Sequence, residues 1–259
     1  MMAVLWLVKM KKIICSLLLT LSFVSLMANA NANTFKLDRN RVVLEQDIRR
    51  GEVRIYNTSD VVQSFKVTLI DMIMTPEGGL RVIDDYEYSA KKFLRVGPRV
   101  AKDVLPNQYQ KIRLVKKNNI PEGEFRAHLL VESLSKTPID EQGAVVVTAN
   151  FKIVIPIFVK NTNEVTQMQV GDVSYHLPES DMSVYLNRLG KGHTSGNLVV
   201  RDKQEKELYR INQISLYPEL KSREVLVPIK FASVKNKSLK IQVEDVESKE
   251  VLSEKVVHL

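Results

Sequence analysis

Beyond residue 32 this chain has no cysteine; its single thiol, Cys15, lies in the leader described below. No disulfide can brace the remainder, and no cysteine nucleophile is available to it. Histidine is scarce as well. His128, His176, His193 and His258 are scattered, with no pair at His-x-x-x-His spacing, which argues against a zinc site. There is no Gly-x-Ser-x-Gly elbow and no glycine loop of the kind that cradles phosphate. Clustered arginine with interleaved aromatics, the mark of a nucleic-acid surface, is missing too. No internal repeat, low-complexity segment or long helix is present; residues 86–92 support one short helical turn at most. No catalytic residue, metal or cofactor is assigned, and hydrophobic cores alone must hold the chain together.

What is there begins with a leader. Lys9, Lys11 and Lys12 precede an apolar run over 13–27, and Ala28-Asn29-Ala30 and Ala30-Asn31-Ala32 follow as small-x-small sites. The pattern predicts a signal peptide over 1–32, cleaved after Ala30 or Ala32. Its apolar run is shorter than the roughly 20 residues a membrane span needs, so no span is expected in the mature chain. Residues 4–8 are apolar ahead of the basic cluster, so the expected translation start is Met10. Export leaves about 228 residues, room for two domains of ~100 residues each. Loss of the three leader lysines lowers the formal charge from +8 to +5.

The rest reads as all-β. Over 145–157 every odd position is apolar (Val145, Val147, Ala149, Phe151, Ile153, Ile155, Ile157), while Thr148, Asn150 and Lys152 between them are polar. Side chains alternate faces along a strand, so 145–159 is predicted as one long strand with a continuous apolar face. Pro156 cannot donate to a ladder and favours a sheet edge or the strand's end. A long apolar edge is an aggregation hazard unless it is used to pair with another sheet.

Further strands are predicted over 35–44, 51–56, 64–72, 95–102, 110–116 and 125–134, giving seven in a first domain over 33–160, as in an immunoglobulin-like sandwich. The polar stretch Lys160-Asn161-Thr162-Asn163-Glu164 reads as a linker. A smaller sandwich over 161–259 is predicted from strands at 167–175, 182–189, 196–200, 207–216, 223–228, 239–245 and 251–258. Two sandwiches meeting at an angle are the expected architecture. His128 alternates with apolar neighbours and reads as a half-buried structural residue, and His193-Thr194-Ser195, in a glycine-flanked turn, as loop.

Arg39 and Arg41, two apart on the first predicted strand, fall on one face. Taken alone, they and the alternating strand read as a solvated edge and a core strand. In combination, the motifs resemble the Pap-type periplasmic pilus chaperones. Leu37-Asp38-Arg39-Asn40-Arg41-Val42-Val43 resembles that family's first strand. Gly97-Pro98-Arg99, Leu105-Pro106 and Gln110-Lys111-Ile112-Arg113-Leu114 follow in family order. Gly123-Glu124-Phe125-Arg126-Ala127-His128-Leu129 is similar to its sixth strand, and residues 145–160 to its seventh.

The resemblance implies a chaperone that adds its seventh strand to subunits lacking their own last strand. Val147, Ala149 and Phe151 would fill the subunit's groove, with Val145 and Ile153 at the ends. Arg41 stands at the position of the arginine that holds the subunit's terminal carboxylate. Pro156 stands where the family has a lysine. Lys152, on the same strand face but roughly 13 Å earlier, Arg39 and Lys160 are the candidates for that second anchor. Pilus subunits and an outer-membrane usher are the implied partners, in the periplasm, with self-capping as a dimer left open. The competing classes are a secreted adhesive or structural protein with two immunoglobulin-like domains, and a hydrolase without a recognisable motif.

Overall fold

The computed structural model describes residues 35–134, 151–175 and 181–259. The first part of the chain forms β1 (Phe35–Leu37), β2 (Val42–Leu44), β3 (Arg50–Asn57), β4 (Gln63–Met74) and β5 (Leu80–Ile83). It continues through β6 (Leu94–Gly97), β7 (Val100–Val104), β8 (Tyr109–Lys116), β9 (Gly123–Leu134) and β10 (Lys152–Asn161). One sheet runs β1-β3-β8-β6; the other runs β2-β10-β9-β4-β5, with β7 also on β4. Alternate residues of each sheet point into one shared core. Val53 pairs with Ile112 across β3 and β8, and Leu129 with Ile155 across β9 and β10, all buried.

Two predicted strands turn out to be pairs. The segment over 35–44 breaks at Asp38, whose Oδ1 accepts the Arg54 N–H at 2.9 Å. Residues 38–41 then carry the chain from one sheet to the other, so β1 and β2 lie on opposite layers. Arg39 and Arg41 therefore sit in a crossing segment, and the alternation argument that put them on one strand face does not apply. The segment over 95–102 likewise divides on either side of the cis Gly97–Pro98 peptide: β6 joins β8, and β7 joins β4. Strand β5 carried no readable signal because its side chains are largely exposed and do not alternate.

The second part forms β11 (Gln167–Ser174), β12 (Met182–Leu189), β13 (Thr194–Arg201), β14 (Glu207–Leu216), β15 (Ser222–Val227), β16 (Ser238–Glu244) and β17 (Val251–His258). A one-turn helix, α1 (Phe231–Val234), precedes β16. Sheets β11-β12-β15 and β14-β13-β16-β17 enclose a separate core around Met168, Leu186, Leu198, Ile241 and Val243. The fold is thus two β-sandwiches.

A third apolar cluster, Met74, Phe158 and Tyr217, lies where they meet. Around it the seam is polar and buried. Arg126 Nη2 donates to Glu219 Oε1 at 2.7 Å, and Glu219 also accepts from the Met74 N–H and the Tyr86 hydroxyl. These contacts fix how the two sandwiches face each other.

Candidate functional site: an open strand edge beside a two-domain cleft

Strand β10 is half covered. It pairs antiparallel with β9 over its whole length, but β2 lies beside it, parallel, only at Ile157, Phe158 and Val159. Among the described residues, 152–156 have no strand on that side. The Phe151 carbonyl accepts the Ser133 N–H of β9 and the Phe151 N–H donates to the Ser133 hydroxyl, both at 3.0 Å, so odd residues aim their backbone groups at β9. Even residues aim theirs at the open side. Pro156 is one of these, so its missing N–H costs the β9 ladder nothing. The open edge retains the N–H groups of Lys152 and Val154.

Side chains divide by the same parity. Ile155, Ile157 and Val159 point into the sandwich core, and Ile153 packs against it. Phe151, at the strand's start, is 39% exposed, and Val154 on the opposite face 37%. Val145, Val147 and Ala149 lie outside the described residues.

The open edge ends at a cleft between the sandwiches. A cavity of about 490 Å³ is bounded by Arg41 and Pro156 on one side and by His193, Ser195, Gln213 and Ser215 on the other. A second, of about 630 Å³, adjoins it and is lined by Arg41, Glu45, Glu124, Lys160 and His193 among others.

The structure separates the predicted cations. Arg41 is exposed and faces both cavities. Arg39 folds back on Asp38 at 3.4 Å. Lys152 pairs across the ladder with Glu132 at 2.8 Å and lines neither cavity. Lys160 pairs with Glu45 at 3.2 Å and faces the larger cavity with Arg41.

Sequence reading missed the residues that make the cleft. His193, taken as loop, is docked on the other sandwich: its Nδ1 lies 2.7 Å from Glu124 Oε1, and its ring stacks on Phe158 at 3.8 Å. Gly192 permits this, since a Cβ there would sit 3.0 Å from Glu124 Oε2. The two glycines flanking Lys191 were the available signal, but nothing local says what the turn approaches.

His128 is fully buried rather than half-buried, and both ring nitrogens lack a partner among the described residues. Burial, reinforced by the Arg126 charge, pushes its imidazole down to about 4. Burial also acts to raise the Glu219 carboxyl, but Arg126 and the Met74 N–H outweigh it and hold it below the usual carboxylate range. Among the described residues no group of His, Cys, Asp and Glu side chains is placed to hold a metal, and no helix is long and apolar enough to cross a membrane.

Solved structures similar to this one include pilus chaperones. One is a chain of the CsuC–CsuE chaperone–tip adhesion subunit pre-assembly complex of Acinetobacter baumannii. It is 14% identical with a TM-score of 0.52, over 86% of this chain and 97% of that one. Another is the E. coli chaperone DraB, 14% identical with a TM-score of 0.52, over 89% and 99%. A third is in the complex of the Salmonella enterica SafA pilin with the SafB chaperone, 11% identical with a TM-score of 0.52, over 89% and 99%.

This chain has the pilus-chaperone fold.

At these identities it is the fold that is shared. No protein-family model matches the sequence, and no curated protein does. In this chain Pro156 and His193 line the same cavity as Arg41.

Proposed function

We propose that this protein is a non-enzymatic periplasmic chaperone for subunits of a surface fibre. It holds each subunit by strand addition and delivers it to an outer-membrane usher. The parts assigned are a signal peptide over 1–32, a strand-donating sandwich over 33–160 and a second sandwich over 161–259. Two of the neighbours named above are in complexes, one with a tip adhesion subunit and one with a pilin.

One observation carries the reading. Strand β2 runs parallel to β10 and begins beside Ile157, leaving 152–156 open among the described residues. A guest strand laid parallel along that opening would run head to tail into β2. Its last residue would then arrive at Arg41, where a guanidinium suits a carboxylate. Main-chain bonds would supply the ladder, and Val145, Val147, Ala149, Phe151 and Ile153 the apolar side chains. Each large side chain fully buried contributes roughly 1.5 to 3 kcal/mol, and Ala149 the least. Release needs no nucleotide: the next subunit's better-fitting strand replaces β10.

Co-expression with pilus-subunit genes of the same genome tests this. Wild-type protein should co-purify with a subunit. Arg41→Ala and Phe151→Asp should each lose it while thermal unfolding of the free protein is unchanged. Retention of the subunit by both variants would overturn the assignment.

A further inference from the structure

We propose that His193 is the second anchor for the guest's terminal carboxylate, so that capture depends on both sandwiches and tightens as pH falls. This deepens the cleft reading above and rests on it.

The imidazole is a built element. Glu124 is 3% exposed in its side chain and lies 2.7 Å from His193 Nδ1, and a carboxylate as partner there favours the tautomer with the hydrogen on Nδ1. The same Glu124 oxygen accepts the backbone N–H of His193 at 2.8 Å. Phe158 lies under the ring, only 12° from parallel, which fixes its plane and favours a cation above it. The remaining nitrogen, Nε2, makes no hydrogen bond among the described residues. The ring borders both cavities that Arg41 borders.

With Nδ1–H committed to Glu124, neutral imidazole presents a lone pair at Nε2, which repels a carboxylate. Protonated imidazole presents N–H⁺ there and binds one. Imidazole is the side chain that makes this change near neutral pH. Charged groups facing the site from the packed elements are Glu124 on β9, Arg41 ahead of β2, Glu45 after β2, Lys160 on β10, Glu164 before β11, and Asp245 and Glu247 after β16. Lys160 is occupied by Glu45. Arg41 and His193 are left as the pair that can face a carboxylate from opposite walls, in place of the lysine that Pro156 displaces.

The test uses the mature protein and a synthetic peptide copying the last strand of its co-purified subunit, made as the free acid and as the C-terminal amide. Wild type should bind the acid about tenfold more tightly at pH 5.5 than at pH 8, and the amide equally at both. His193→Gln, which can keep the bond to Glu124 without a charge, should lose the pH dependence but bind the amide as wild type does. If His193→Gln keeps the wild-type pH dependence while Arg41→Ala loses the preference for the acid, the histidine proposal fails and the cleft reading stands. If wild type does not distinguish acid from amide, both fail.

Discussion

Arg126 and Glu219 meet across the seam between the two sandwiches, guanidinium to carboxylate at 2.7 Å, with side chains 1% and 8% exposed. The Arg126 guanidinium carbon also lies 3.7 Å from the centroid of the Tyr217 ring. Strand β9 thus holds one side of the seam and the residues after β14 the other. Removing one partner strands a buried charge, at a cost of about 3 to 5 kcal/mol. Glu219→Ala should therefore lower the melting temperature sharply. The double change Arg126→Met with Glu219→Leu should recover most of it, since an apolar pair leaves no stranded charge. A double variant no more stable than the single one would show that the seam depends on something else.

His128 gives the fold an acid sensitivity. Its imidazole titrates near 6.5 when unfolded and at about 4 when folded. Between those values the unfolded chain binds the proton more readily. The stabilisation is complete above about pH 6.5 and is lost as pH falls toward 4, a difference of about 3 kcal/mol at most. Glu219, beside Arg126, is held below the usual carboxylate range. Denaturant titrations at pH 7.5 and 4.5 should show a clear loss for wild type and a smaller one for His128→Leu. Equal losses would rule His128 out.

Lys116 is buried, and its Nζ donates to the carbonyls of Glu45, Gln46 and Lys160. It ties the loop after β2 to the end of β10. Lys116→Met keeps the aliphatic stem but leaves those acceptors unpaired, each at about 1 to 3 kcal/mol if water cannot reach it. A large loss of stability is expected in chemical denaturation. A change within experimental scatter would mean that water replaces the ammonium.

Lys152 is 60% exposed and paired with Glu132 on the neighbouring strand. Lys152→Ala should cost no more than about 1 kcal/mol and leave subunit capture intact, unlike Arg41→Ala. Capture lost on Lys152→Ala in a pull-down would place the carboxylate site on β10 rather than in the cleft.

How much was legible depended on range. Strands β12, β14 and β17 match their predicted bounds because alternation and turn residues are local properties. The segments over 35–44 and 95–102 also alternate, but a strand that changes sheets keeps its period, so the crossing left no mark in the pattern. Arg41 was a candidate in the sequence because it sits in a recognisable motif. His193 was not, because its place in the cleft comes from Glu124, 69 residues earlier, and nothing beside it in the sequence indicates that carboxylate.

The order of residues by itself determined an all-β chain, its two sandwich-forming halves and the apolar run leading into β10, since each follows from side-chain period and turn chemistry over a few neighbours. Tertiary structure alone decided that β2 starts only at Val42, that 152–156 stay open among the described residues, and that Arg41 and His193 line one cleft. Those depend on where one sandwich's surface meets another's, through buried pairs such as Arg126 with Glu219 whose partners are distant along the chain.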